Sequence, residues 1–249
     1  MILTIAKREI STLFLSPLAW IILAVVQVLL GYMFLAQIDN FFLLQPQLLQ
    51  LENVPGVTDI VIAPLFSLAA IILLMIMPLI TMRSIAEEKR NKTLTLLISS
   101  PISMTEIVLG KFLGLFFFVF ILVSLLMLMP LSLFIGTAID VGKLLSIYIS
   151  MLLLLSSFAA IGLYLSSLTE NQTIAAVGTF GALLMLWLID WIGEALPNNQ
   201  SVVSYLSPLQ HHQSMLEGLF DTADVAYYLI FITVFLVLTI RQLDRERLL

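Results

Sequence analysis

Arg83 to Lys111, RSIAEEKRNKTLTLLISSPISMTEIVLGK, lies between two apolar runs of membrane length and holds five of the chain's eleven lysines and arginines. An ionised side chain in hydrocarbon costs about 2.5 to 3.5 kcal/mol even on lenient insertion scales, so the segment reads as an aqueous loop. Its second half changes character. Leu94, Leu97 and Ile98 fall at i, i+3 and i+4, one side of a short helix that Pro101 then stops. A polar loop carrying an apolar knob suggests docking onto another surface.

Outward from this loop the chain reads as membrane. Of its 249 residues 61% are hydrophobic and 11% charged, and the mean hydropathy is +1.11, far outside the range of soluble globular domains. The charges divide it into six long apolar runs: Ile10 to Ile38, Ile60 to Met82, Phe112 to Ile139, Leu144 to Thr169, Asn171 to Ile189 and Val225 to Ile240. About 20 residues suffice to cross a bilayer. The last run is short, but Arg241 can snorkel to the interface. Ala195 to Leu216 is also uncharged, yet its Pro197, Asn198, Asn199, Gln200, Ser201, His211 and His212 argue against lipid contact. The expected architecture is therefore all-α, with spans at about 17–36, 60–82, 107–135, 144–168, 173–191 and 225–241.

Six crossings put both termini on one side. Lys7, Arg8, Arg83, Lys89, Arg90, Lys92, Lys111, Arg241, Arg245 and Arg247 share that side, and Lys143 alone lies opposite. Orientation follows the lysines and arginines, so the loop and both termini are expected in the cytoplasm, despite a net charge of −5. The absence of cysteine excludes disulfides and thiolate metal sites. No cleavable signal peptide is expected, because the first apolar run is long and no small-residue cleavage pattern follows it.

Residues 1–16 have helical periodicity, with Ile2, Leu3, Ala6, Ile10, Leu13 and Phe14 on one arc and Thr4, Lys7, Arg8 and Ser11 opposite. This predicts an interfacial helix that ends before Pro17. In the first span Gln27 is a mid-membrane amide, expected to bond a neighbouring helix or to line a pathway. Asp39 to Asp59 reads as an outer loop, Pro78 as a kink and Pro130 as a break. Ser103 and Glu106 have capping-box spacing. The fourth span is rich in small residues, and Ala175, Gly178, Gly181 and Ala182 offer a small-residue face on the fifth. The outer stretch 192–224 suggests re-entrant or surface helices. His211 and His212 are adjacent, so they point to different sides of an element, which is poor geometry for one metal ion and favours a structural role.

Intrinsic enzymatic chemistry is not expected. Gly110 and Lys111 look like the end of a phosphate-cradling loop, but Thr105 stands where its first glycine belongs. Glu87 and Glu88 resemble the EExxxR motif of membrane proteases, but its last position here is Lys92 and both histidines lie in the outer loop. The carboxylates beside Arg83, Lys89, Arg90 and Lys92 read more simply as a solvated ion-pair face that can meet a partner's charges.

Taken together, RSIAEEKRNKTLTLLISSPISMTEIVLGKF resembles the signature of ABC-2 type transporter permeases: R, IAEE, a basic residue, GT, a leucine run, SP and a closing GK. SSLTENQTIAA (Ser166 to Ala176) and YLSPLQHHQSMLEGLFDTADVAYY (Tyr205 to Tyr228) resemble the same family, toward its gliding-motility, GldF-like branch. Lys92 departs from the pattern, which commonly has glycine before the threonine. The resemblance implies a six-helix subunit in the bacterial inner membrane, paired with a second permease copy or paralogue, in contact with membrane lipid and with no nucleic acid. It also implies a separate cytoplasmic ATPase subunit that binds the ATP and Mg, the permease binding no cofactor directly. Coupling to that ATPase is expected at Thr93, Leu94, Leu97, Ile98, Ser99 and Pro101, with Glu87, Glu88, Lys89 and Arg90 steering the contact and Glu170 and Asn171 adding a smaller one. The implied function is ATP-driven export of a substrate. The alternative is mechanotransmission, in which the same motion passes to a protein partner on the outer side and nothing is transported.

Overall fold

The computed structural model describes residues 1–48, 56–93, 102–135, 139–195 and 207–248. Among these, all regular structure is helical. Three short helices accompany the spans: α1 (Ile2–Leu15), α4 (Ala86–Arg90) and α8 (Pro208–Leu216). The spans are α2 (Pro17–Leu48), α3 (Ala63–Thr81), α5 (Met104–Ser132), α6 (Val141–Leu168), α7 (Gln172–Ala195) and α9 (Thr222–Leu248). A π-helical turn, Thr58–Ile62, leads into α3. Six helices among the described residues are long and apolar enough to cross a membrane.

Several boundaries depart from the sequence expectation. The helix of the first span does not stop near Ala36: Phe41, Phe42, Leu43 and Leu44 carry it on to Leu48, and Pro46 falls only in its last turn. Asp39 to Leu48 is thus helix rather than loop. Its 32 residues reach about 48 Å at 1.5 Å each, well beyond a hydrocarbon core of about 30 Å. Pro130 does not break α5, which ends two residues later at Ser132; so near the terminus, proline removes little more than its own missing bond. The capping box forms as its spacing predicts, with Ser103 Oγ accepting from Glu106 N at 3.2 Å and Glu106 Oε2 accepting from Ser103 N at 3.3 Å.

The most enclosed span is α6. Of its apolar stretch 72% is buried, against 17% for α7, and α3, α5, α7, α8 and α9 all pack on it. Small residues permit this. A Cβ added at Gly162 would stand 2.1 Å from Thr81 Oγ1 on α3, so α3 and α6 meet where the side chain is missing. The glycines of α7 behave differently from the packing face expected of them. A Cβ at Gly178 or Gly181 would meet nothing within 4 Å, so their side of α7 is uncovered in the single chain, while Ala175 is buried. Gln27 donates to the Leu125 carbonyl of α5 at 3.2 Å, an interhelical bond of the expected kind.

Candidate functional site

Both termini come to the same end of the bundle, the end that carries the Arg83–Lys111 loop, since α1 packs on α5 and Glu246 of α9 pairs with Lys89 of α4. This basic end is held by buried charge. Lys111 lies on the second turn of α5, 2% exposed, where an unpaired ammonium would be strongly disfavoured. It is not unpaired. Its Nζ lies 3.3 Å from Glu9 Oε2 and 2.9 Å from Glu88 Oε1, and donates to the Ser84 carbonyl at 2.6 Å. Ser84 Oγ donates in turn to Glu9 Oε1 at 3.2 Å. One cation therefore joins α1, the turn after α3, α4 and α5.

Two glycines bring α1 close enough for this. A Cβ at Gly110 would lie 2.7 Å from Ile5 Cβ, and one at Gly114 would lie 2.6 Å from Glu9 Cβ. The spacing GKFLG is the small-xxx-small pattern that lets helices approach. It also turns Glu9 inward, so the buried side of α1 is not the purely apolar arc expected from periodicity. Leu3, placed on that arc, is 79% exposed.

A second set of contacts fixes α4. Ser166 Oγ on α6 accepts from the amides of Ile85 and Ala86 at 3.1 and 3.0 Å, and donates to the Met82 carbonyl at 3.1 Å. Lys89 donates to the Ser167 carbonyl and pairs with Glu246. The two turns expected at the basic end are thus bound to each other.

The residues assigned to coupling divide accordingly. Glu88 and Lys89 point inward to Lys111 and Glu246, Arg90 is exposed and Glu87 is half-buried. Thr93 Oγ1 donates to the Glu88 carbonyl at 3.3 Å. Glu170 is exposed, and Asn171 Oδ1 accepts from Thr173 N at 2.9 Å at the start of α7. Leu94, Leu97, Ile98, Ser99 and Pro101 lie outside the described residues. Lys92 has φ +56°, the left-handed region. The bend is the one that glycine takes without strain, and lysine adopts it here at a cost of about 1–2 kcal/mol.

Sequence reasoning missed Glu9, Ser84, Ser166, Glu246 and the central role of Lys111. The four-residue spacing of Gly110 and Gly114 was a usable signal for the α1 contact. No pattern along the chain pairs Glu9 with Lys111, 102 positions apart.

At the far end α8 is inserted against α3, α6, α7 and α9, and its histidines do point apart. His211 Nδ1 lies 2.6 Å from Asp224 Oδ1, where an ionised carboxylate can only accept, and Ser214 Oγ donates to Asp224 Oδ2 at 2.7 Å. His211 stacks on Tyr227 with ring centroids 4.1 Å apart. His212 Nδ1 is 2.6 Å from Ser150 Oγ, and its buried Nε2 has no hydrogen-bond partner among the described residues. Burial holds the His212 pKa down at about 4, the Phe66 backbone opposing only in part. Gly218, with φ +89°, closes α8 against the Lys143 side chain. Among the described residues no group of three or more His, Asp and Glu could hold a metal ion.

A bundle of six membrane-length helices with a charged, internally braced end defines an integral membrane protein. A family model described as ABC-2 family transporter protein matches residues 3–248, and the chain belongs to that family. It is similar to the probable multidrug ABC transporter permease YbhS of Escherichia coli K12, 29% identical over 172 residues, 67% of this chain and 45% of that protein. The protein of the same name in Escherichia coli O157:H7 matches equally. The chain spans less than half the length of these curated relatives.

Proposed function

We propose that the chain is the permease subunit of an ABC transporter, coupling ATP hydrolysis by a separate cytoplasmic ATPase to export across a bacterial inner membrane. The observation that carries this reading is the bracing of the basic end. Lys111, Lys89 and Ser166 tie the stretch 82–90 to α1, α5, α6 and α9, so a push delivered to residues 94–101 would move four helices together rather than deform a loop. In this mechanism two ATPase subunits close on ATP and Mg, force enters at Leu94, Leu97 and Ile98, and the spans shift toward an outward route. Such a shift requires contacts that differ between two states. The ten basic residues at this end support placing it in the cytoplasm, and the uncovered glycine side of α7 supports a second permease copy.

An amphiphilic, lipid-linked or polymeric cargo suits spans with so few polar side chains, and the multidrug designation of YbhS is in keeping with it. The GldF-like likeness of Tyr205 to Tyr228 favours the second reading, mechanotransmission, because α8 is seated among four spans and would carry their motion to the outer surface. Pull-down from native membranes in mild detergent, with mass spectrometry, tests the shared part. A nucleotide-binding chain should co-purify and be lost on Leu97→Asp with membrane insertion intact; its absence at native expression overturns the proposal. Stimulation of the ATPase by a cargo then selects export, and stimulation by an outer protein selects mechanotransmission.

A further inference from the structure

A cleft of about 530 Å³ opens at the basic end between α1, the start of α2, the end of α3 and α5. Its lining passes from charge, at Arg8, Arg83 and Glu87, to hydrocarbon, at Leu18 and Leu79. Three cations and three carboxylates border it. Lys111 is engaged by Glu9 and Glu88, which leaves Arg8, Arg83 and Glu87 without an ion pair among the described residues.

The unpaired Arg8, Arg83 and Glu87 specify their complement. A simple anion would meet the two arginines and be repelled by Glu87, and a metal ion would do the reverse. What meets both is an anion with acceptor oxygens joined by a short linker to a cation with N–H donors. The apolar part of the lining asks for hydrocarbon beyond the anion, and the interfacial helix α1 sets the cleft at headgroup depth. We propose that this cleft binds the headgroup of a zwitterionic aminophospholipid, with its phosphate on Arg83 and Arg8, its ammonium on Glu87, and its first methylenes along Leu18 and Leu79. Arginine suits the phosphate through its fork of donors. A choline headgroup has no N–H for Glu87, and a glycerol headgroup has no cation for it. The site is independent of which cargo, if any, the protein moves.

Native mass spectrometry of the full chain in mild detergent, titrated with phosphatidylethanolamine, phosphatidylcholine and phosphatidylglycerol of identical acyl chains, tests this. One phosphatidylethanolamine per chain should be retained at least tenfold more tightly than either other lipid. Arg83→Gln should weaken it at least tenfold. Glu87→Gln should bring the ethanolamine and glycerol lipids within threefold of each other, and Leu79→Trp should weaken all three without touching a charge. Chain-free glycerophosphoethanolamine and inorganic phosphate should not displace the lipid at equal concentration. Equal binding of the three lipids, indifference to both Arg83→Gln and Leu79→Trp, or displacement by inorganic phosphate would each overturn the proposal. If Arg83→Gln fails to fold, Leu79→Trp and the lipid comparison still decide.

Discussion

Lys111 and His212, at the two ends of this bundle, are buried by opposite means. At the basic end Lys111 is held by two carboxylates on two other elements. At the far end His212 is enclosed against Ser150 and stays neutral, its pKa held near 4 by burial. The first arrangement uses full charges whose partners come from elements distant in sequence, and it fails if any partner moves away. The second needs only a neutral ring and a hydroxyl. A part that must transmit a push as one piece gains from the first kind, since separating buried opposite charges is expensive.

The largest expected effect is at the charged end. Lys111→Met leaves Glu9 and Glu88 facing each other in a buried site, and should cost about 3–5 kcal/mol, read as a fall in the melting temperature in detergent. Adding Glu9→Gln and Glu88→Gln to the same chain should restore most of it. If Lys111→Met alone is neutral, the contrast between the ends is lost.

The far end should instead report pH. His212 titrates near 6.5 when unfolded and about 4 when folded. It is neutral in both states above pH 6.5, and below that only the unfolded chain takes up the proton. Stability should therefore fall as pH drops from 6.5 to 4, by about 3 kcal/mol for 2.5 units at 1.36 kcal/mol each. Melting curves across that window should be markedly flatter for His212→Gln than for the unchanged chain.

Smaller effects refine the picture of the basic end. Gly114→Val puts a branched side chain where Glu9 Cβ stands 2.6 Å from an added Cβ, and should cost about 1–3 kcal/mol by forcing α1 away. Protease should then cut after Lys7 or Arg8 faster than in the unchanged chain. Lys92→Gly should raise stability by about 1 kcal/mol or less, because relief of the left-handed lysine is partly offset by a freer unfolded chain; a lower melting temperature would deny the strain.

Much of this fold could be read along the chain because a membrane imposes one-dimensional rules. Charge-free runs of sufficient length gave six spans, and the capping-box spacing of Ser103 and Glu106 marked a helix start that lies three residues before the span expected at about 107. Boundaries erred where helix continued outside hydrocarbon, as at Phe41 to Leu48, since nothing in hydropathy forbids an apolar helix from entering water. The site was legible as a charged loop and no further. Glu88 and Lys89 read as solvated steering charges, yet both turn inward, because their partners Lys111 and Glu246 become neighbours only when the bundle closes. The glycine expected before Thr93 is informative in its absence: Lys92 keeps the bend that glycine would have made.

The central claim is that residues 94–101 receive work from another polypeptide. A photo-crosslinking amino acid placed at Leu97 of the full chain, activated in native membranes, tests it most directly. Attachment to a nucleotide-binding subunit, with a yield that changes between ATP-bound and nucleotide-free conditions, is the predicted result. Attachment only to the chain's own helices, or to no protein in an assembled complex, would contradict it.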